Sequence, residues 1–247
     1  EVVLLVDTFN SCFESENASA AVDVLRAAGY RVHCPRPLDG GRSLCCGRTF
    51  LSNGMVDDAK VEVLRTMATL KPYVERGVPI IGIEPSCLLT LRDEYLVLFP
   101  GEESKRLAQN SFMLEEFLAN ELDRGKLDLD LQALTTKKAL LHGHCHQKAF
   151  AALSPVERVL NLIPDLEIKT IDSSCCGMAG SFGYEKEHYD ASMEMGSLSL
   201  FPAINEAELD TLVVADGVSC RGQIEHGTGR QAMHVARVLQ MALKTGN

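Results

Sequence analysis

The sequence predicts an α/β chain of two pseudo-symmetric, Rossmann-like halves. Each is a short parallel sheet flanked by helices, with cysteine loops at the C-terminal ends of its strands. Three observations carry this. Short apolar runs alternate with stretches of helical spacing, the pattern of parallel βαβ units. The order strand, cysteine, helix, strand, cysteine pair plus glycine, helix, strand, cysteine occurs twice. Each half also contains the same triplet, Cys45-Cys46-Gly47 in one and Cys175-Cys176-Gly177 in the other. The halves are expected to be residues 1–125 and 126–247, with the polar stretch Asp123 to Thr136 between them.

In the first half, Val2–Asp7 is a continuous apolar strand. Glu16 to Gly29 is a helix with Ala20, Val24, Leu25 and Ala28 on one face, and Gly29 stops it. Tyr30–Cys34 is a second strand, ended by Pro35 and Pro37. Asp39-Gly40-Gly41 is a turn, and the cysteine pair follows in a loop. Asp57 to Leu70 is a helix, and Val78–Ile83 is a buried strand leading into Glu84-Pro-Ser-Cys87. Glu103 to Leu122 is helical.

In the second half, Lys138–His142 is a strand and Pro155 to Leu162 a helix, with its proline in the tolerated first turn. Leu166–Ile171 alternates as a strand, Glu185 to Leu200 is helical, and Thr211–Ala215 is a strand before Asp216-Gly-Val-Ser-Cys220. Arg230 to Leu243 is a terminal helix with Val235, Val238, Leu239 and Ala242 on one face.

Composition narrows the function. The chain has 247 residues, 46% hydrophobic and 23% charged, the balance of an ordinary globular protein. A formal charge of -10 leaves no basic stripe for phosphate contacts, which argues against nucleic acid as a partner. No apolar run approaches the roughly 18 residues of a membrane span. The chain opens on Glu1-Val-Val-Leu-Leu-Val with neither a basic leader nor an initiator methionine. It is therefore expected to be cytoplasmic, or peripheral at the inner face of a membrane, and cut from a longer polypeptide.

Nine cysteines, an odd number without a secretory leader, favour metal or redox chemistry over a disulfide framework. Cys12, Cys45, Cys46 and Cys87 offer four thiols to the first half, and Cys145, Cys175, Cys176 and Cys220 four to the second; Cys34 stands outside the scheme. Four thiolates at one end of a sheet suit an iron–sulfur cluster or zinc. The spacing lacks the short paired knuckles of a zinc ribbon. Gly47, and more strongly Gly177, Gly180 and Gly183, would let backbone N–H groups approach cluster sulfurs.

Leu44-Cys-Cys-Gly-Arg48, Gly82-Ile-Glu-Pro-Ser-Cys87, Leu141-His-Gly-His-Cys-His146, Cys175-Cys-Gly-Met-Ala-Gly-Ser-Phe-Gly183 and Ala215-Asp-Gly-Val-Ser-Cys-Arg221 together resemble the CCG-type cysteine-rich domain. That domain occurs in iron–sulfur subunits of glycolate oxidase and anaerobic glycerol-3-phosphate dehydrogenase. It also occurs in lactate utilisation proteins, in heterodisulfide reductase and at the C-terminus of fused FAD/iron–sulfur D-2-hydroxyacid dehydrogenases, to which the similarity is greatest. The resemblance implies an electron-transfer module for a 2-hydroxyacid of the D-lactate, glycolate or 2-hydroxyglutarate type. Its clusters, expected as 4Fe–4S, would take electrons from FAD on an N-terminal module through ferredoxin-like clusters. A quinone or another acceptor would receive them. All eight paired-scheme cysteines would be ligands, with no catalytic side chain. In the heterodisulfide reductase type each motif ends in Cys-x-x-Cys; here Leu88-Leu-Thr90 follows Cys87 and Arg221-Gly-Gln223 follows Cys220, so the fifth thiol is missing. A thiol or heterodisulfide reductase domain and a zinc-holding structural module are the alternatives.

His142, His144 and His146 alternate around Cys145 and would share a face if the strand continued. They are candidates for metal ligands or for groups around the ligands. Glu84 and Asp216, at equivalent strand ends before Cys87 and Cys220, are expected to accept hydrogen bonds there, as are Asp7 and Asp172 at theirs. His226 reads as a loop or cap residue before the terminal helix, whose N-terminus with Arg230 offers a weak anion site.

Overall fold

The computed structural model describes residues 1–244. The chain divides into two units, Glu1–Leu129 and Asp130–Asn247. In the first, β1 (Val2–Leu4), β2 (Val32–His33), β3 (Ile80–Gly82) and β4 (Ser111–Met113) form a parallel sheet in the order β2-β1-β3-β4. Val3 pairs with Ile80 and Leu4 with Ile81. The two central strands are fully buried, with Val2, Val3 and Leu4 in β1 and Ile80 and Ile81 in β3, as in a parallel sheet covered on both faces. Ser15–Ala27 connects β1 to β2, burying Ala20, Ala21, Val24 and Leu25, and the chain leaves it through Gly29 at φ 82°. Val56–Val74 connects β2 to β3. Pro85–Arg92, Glu94–Leu98 and Glu102–Gln109 lie between β3 and β4, and Leu114–Asp123 follows β4. Cys46 and Cys87 belong to the hydrophobic core, with Val3, Leu5, Leu44, Val63 and Tyr95.

The second unit repeats this topology. Its parallel sheet runs β6-β5-β7-β8, from β5 (Lys138–Leu141), β6 (Glu167–Thr170), β7 (Leu212–Val214) and β8 (Ala232–Met233). Leu141 pairs with Val214. Cys145–Ala149 and Ser154–Leu160 lead to β6; Tyr189–Ser197 and Leu200–Asn205 lead to β7; Val218–Thr228 leads to β8. The last helix, Val235–Ala242, buries Val235, Ala236, Val238, Leu239 and Ala242. Cys176 and Cys220 sit in this core with Leu140, Ile171 and Phe201. Part of the stretch expected as a linker is built in: Leu131 bridges Leu243, and the Gln132 N–H donates to the Ala242 carbonyl at 2.8 Å.

Four elements differ from expectation. The helix expected over Glu185–Leu200 covers only Tyr189–Ser197, after a 3-10 turn at Lys186–His188, and Leu200 opens the next helix. The helix expected over Glu103–Leu122 is broken by β4, which runs directly into the helix Leu114–Asp123 with no turn signal between them. The terminal helix starts at Val235 rather than Arg230, because β8 intervenes and His234 caps the helix, its Nδ1 accepting the Ala236 N–H at 3.0 Å. Residues 218–228, where the sequence predicts no element and His226 reads as a loop or cap residue, form a helix that ends in Gly229 at φ 70°. Gly227 has a packing reason: a Cβ there, or on Gly196 of the facing helix, would come within 2.3 Å of the Phe201 ring.

Candidate metal centre

In the second unit the four expected thiols converge. β5 ends at Leu141, the chain turns through His142 and Gly143, and Cys145 opens the helix Cys145–Ala149. β6 leads into the loop of Cys175 and Cys176, and Cys220 is the third residue of Val218–Thr228. All three segments leave the C-terminal ends of adjacent strands, where open α/β sheets place their ligands. Cys145 hydrogen-bonds Cys175, Cys175 meets Cys176, and Cys176 meets Cys220. The order runs from solvent inward: Cys145 is exposed, Cys175 half-buried, Cys176 and Cys220 buried.

The glycine after the pair is required by shape. Gly177 has φ 106°, and a Cβ there would lie 2.1 Å from the Ser192 carbonyl oxygen. Its N–H donates to Cys175 Sγ at 3.3 Å. Gly180 also has a positive φ, and the Gly183 N–H goes to the Met178 carbonyl, closing the loop over itself. A Cβ on Gly217 would press on His144 and approach Cys220 Sγ to 3.2 Å.

The histidines do not share a strand face, since β5 stops before them. His142 is buried, and its Nδ1 meets the Ser173 hydroxyl at 2.9 Å. Nε2 makes no hydrogen bond of ordinary geometry, and the ring stands with the sulfurs of Cys176 and Cys220, the three ligand atoms all within 4.8 Å. His144 caps the helix instead: its Nδ1 accepts the His146 N–H at 3.1 Å, and its own N–H donates to Gln147 Oε1. Gln147 donates on to Asp216 Oδ2 at 2.7 Å, and Asp216 Oδ1 takes the Val235 N–H and faces His234 at 3.7 Å. Arg221 donates to the carbonyls of Ala215 and Asp216. Asp216, just before the helix of Cys220, thus ties that segment to the helix of Cys145 and to the last helix.

Lys148 went unnoticed in the sequence. It lies one turn after Cys145, so it shares that helix face. Its ammonium donates to the carbonyls of Ser173 and Ser174, and Cys145, Cys175 and Cys220 lie within electrostatic reach of it. Its pKa is lowered by burial, which outweighs those thiols.

In the first unit the structure brings together Cys45, Cys46 and Cys87. Cys46 hydrogen-bonds both neighbours. The Gly47 N–H donates to Cys45 Sγ and the Arg48 N–H to Cys46 Sγ, each at 3.4 Å. Gly47 has φ 83°, the left-handed cap of the helix Arg48–Ser52. Leu5, Asp7, Leu44 and Thr66 line a small cavity with the three thiols, and Tyr95, fully buried, stands beside them without a hydrogen bond of ordinary geometry at its hydroxyl. Cys12 is not gathered with them: it is exposed at the last residue of Thr8–Cys12. Cys34 is exposed as well.

Asp7 caps Thr8–Cys12, its Oδ1 accepting the N–H groups of Phe9 and Asn10. Glu84 caps Pro85–Arg92. The expected equivalence of Glu84 and Asp216 shifts by one: counted from the paired residues Ile81 and Val214, Glu84 matches Gly217. Asp172 is exposed and acts on the site through its charge, within electrostatic reach of Lys148. His226 lies within the helix Val218–Thr228 and meets the Tyr189 hydroxyl. Arg230 is no anion site. Its guanidinium is taken up by the carbonyls of Ile204, Ala207, Glu208, Leu209 and Thr211, at the C-terminal end of Leu200–Asn205.

The thiols fit a cation. Cys145 is pushed up by its contact with Cys175 and by burial, and Cys176 by Cys175, Cys220 and burial. Cys175 is held low by hydrogen bonds from Cys145 and Cys176, and Cys220 by one from Cys176 against its burial. Burial and the neighbouring sulfurs oppose the ionisation of Cys145 and Cys176, so the row resists carrying four negative charges by itself. In the first unit Cys45 is pushed up by Cys46, then by burial. Cys87 is pulled down by Cys46, but burial and the charges of Asp7 and Glu84 outweigh this and push it up to about 12. Full ionisation of either group needs a bound cation, and soft sulfur donors select zinc or iron–sulfur clusters.

The chain is similar to several known proteins. Over 240 residues the chain is 32% identical to a subunit of the anaerobic glycerol-3-phosphate dehydrogenase of Escherichia coli K12, covering 95% of this chain and 58% of that protein. It is 26% identical to lactate utilization protein A of Bacillus velezensis, covering 97% of this chain and 98% of that protein. It is 26% identical to the D-2-hydroxyglutarate dehydrogenase of Pseudomonas putida, covering 96% of this chain but 22% of the enzyme. The chain thus spans just over half of the first of these relatives and under a quarter of the third. A family model for the CCG cysteine-rich domain matches residues 6–92 and again 139–225, one match in each unit. With both cysteine pairs and both third thiols inside these matches, the chain belongs to the CCG cysteine-rich domain family.

Proposed function

We propose that this chain is the iron–sulfur electron-transfer part of a flavin-linked dehydrogenase acting on a 2-hydroxyacid of the D-lactate, glycolate or 2-hydroxyglutarate type. One observation carries the proposal: Cys145, Cys175, Cys176 and Cys220 converge at the C-terminal edge of one sheet, two of them buried in its core. In the second unit these four would hold a 4Fe–4S cluster, and in the first Cys45, Cys46 and Cys87 would contribute to a counterpart. A bound cluster supplies one-electron transfer, linking the flavin to a quinone or another acceptor. The protein's part is to hold and tune it. The Gly177, Gly47 and Arg48 N–H groups donate to ligand sulfurs, and Lys148 adds positive charge at the rim; both features favour the reduced, more negative state. Exposed Cys145 is the natural side for electron entry or exit. The names of two relatives support the dehydrogenase context and that of the third a lactate context, with the flavin module and ferredoxin-like clusters on a partner protein or an additional module. No helix among the described residues is long and apolar enough to cross a membrane. Any membrane association by these helices would be peripheral, at the inner face.

A second reading rests on the buried His142, Cys176 and Cys220, whose ligand atoms lie within 4.8 Å of one another. Mixed nitrogen and sulfur donors at that spacing suit a structural zinc. Anaerobic purification with iron, sulfide and zinc analysis separates the two. Iron and sulfide in equal amounts, with absorption bleached by dithionite, supports the cluster reading. Stoichiometric zinc in a colourless protein would reverse it.

A further inference from the structure

The two sheets give an internal register that sequence spacing does not. Leu4 pairs with Ile81 in the first unit, and Leu141 with Val214 in the second. Cys87 lies six residues after Ile81, and Cys220 six after Val214, so the paired strands superpose in register. Four residues after Leu141 comes Cys145; four after Leu4 comes Thr8. Both occupy the same place in their elements: Asp7 caps the helix that Thr8 opens, and His144 caps the helix that Cys145 opens. The contacts correspond too. Cys145 hydrogen-bonds Cys175, the first thiol of its pair, and the Thr8 hydroxyl hydrogen-bonds Cys45, the first thiol of the other. That hydroxyl also reaches the Leu44 carbonyl at 3.4 Å. Cys12, four residues further on, corresponds to Ala149 and is exposed.

We propose that the first unit holds a three-thiolate cluster on Cys45, Cys46 and Cys87, that the Thr8 hydroxyl faces its fourth corner, and that Cys12 is not a ligand. This rests on the reading that the thiol groups bind iron–sulfur clusters. A neutral hydroxyl is a far weaker iron ligand than a thiolate. The iron at that corner is therefore exchangeable and open to an added oxygen, nitrogen or sulfur ligand, whereas the four-thiol second unit holds every iron. One-electron oxidation by ferricyanide releases Fe2+ from the open corner and leaves a three-iron, four-sulfide cluster on the three cysteines. The electron passes to ferricyanide.

The test uses the full chain, reconstituted anaerobically and titrated with ferricyanide, with released iron and the EPR signal of an oxidised three-iron cluster as readouts. The wild type, Thr8→Val, Thr8→Cys and Cys12→Ser are compared. The wild type and Thr8→Val give the three-iron signal from one of two clusters. Cys12→Ser matches the wild type in iron content and signal. Thr8→Cys lowers signal and iron release to background, because the added thiolate closes the corner. Clusters present throughout, but with iron lost in Cys12→Ser, with no three-iron signal in the wild type, or with Thr8→Cys folded and unchanged, overturn this assignment alone. Should Thr8→Cys fail to fold, Cys12→Ser and Thr8→Val still decide it. Absence of iron–sulfur absorption from all four proteins overturns the cluster reading and this assignment with it.

Discussion

Gly177 shows how a single residue holds a thiol in place. Its φ of 106° and the 2.1 Å that would separate a Cβ from the Ser192 oxygen leave room for no side chain. Gly177→Ala is expected to destabilise the chain by about 1–3 kcal/mol through backbone strain, with further loss from the clash. Chemical denaturation checks this, and a variant with wild-type stability would show that the loop is more plastic than the packing implies. Residue identity made the cysteine pairs and both third thiols legible in the sequence. Equal cysteine counts suggested equal ligand sets, whereas the structure holds Cys12 exposed, at the last residue of Thr8–Cys12. The residue that superposes on Cys145 is Thr8, and a threonine after a strand carries no metal signal. Lys148 was missed for a similar reason: its relation to Cys145 depends on a helix too short to announce itself.

At the scale of elements, the loop that delivers Cys45 is pinned by one arginine on the helix Val56–Val74. Arg65 donates from Nε to Asp39 Oδ2 at 2.7 Å, from Nη2 to the Arg42 carbonyl at 2.9 Å and from Nη1 to the buried Glu62 at 2.8 Å. Thr66, next on the helix, donates to the Cys45 carbonyl at 3.0 Å. Arg65→Met is expected to loosen residues 38–46 selectively, which hydrogen exchange would register as faster exchange there and unchanged protection in β5 and β7. Uniform loss of protection would mean that Arg65 supports the whole unit instead. Hydrogen bonding by Arg65 holds the Asp39 carboxyl down at about 2. A depressed carboxylate contributes its stability above its ordinary value of 3.8 and loses it as pH falls through about 2. Loop exchange should therefore be insensitive to pH above 3.8 once intrinsic exchange rates are allowed for, and the difference between wild type and Arg65→Met should shrink below it; a difference that grew in acid would contradict this. Strands with apolar runs and helices with one buried face were readable in advance. β4 and β8 were not, because each runs almost directly into a helix, Leu114–Asp123 or Val235–Ala242, and Val218–Thr228 hid behind Gly222 and Gly227, the second of which admits Phe201.

For the whole molecule, the repeated strand order was legible as an order of features, and the sheets turn it into a register. The contacts make the halves unequal: four thiols with His142 and Lys148 in one, three thiols with Thr8 and Tyr95 in the other. Sequence alone could not show this, since the connection from β2 to Cys45 is longer than that from β6 to Cys175 and spoils any alignment by spacing. The double variant Cys176→Ser/Cys220→Ser is expected to remove about half of the bound iron, the share of one of two clusters, while leaving the first unit's cluster spectrum in place. Retention of all the iron would mean that the second unit is not a cluster site. The most direct measurement of the central claim is iron and acid-labile sulfide analysis of the anaerobically reconstituted chain, with EPR before and after dithionite reduction. The account predicts iron and sulfide in equal amounts and a cluster signal that changes on reduction. A colourless protein, holding zinc or no metal after the same treatment, would contradict it.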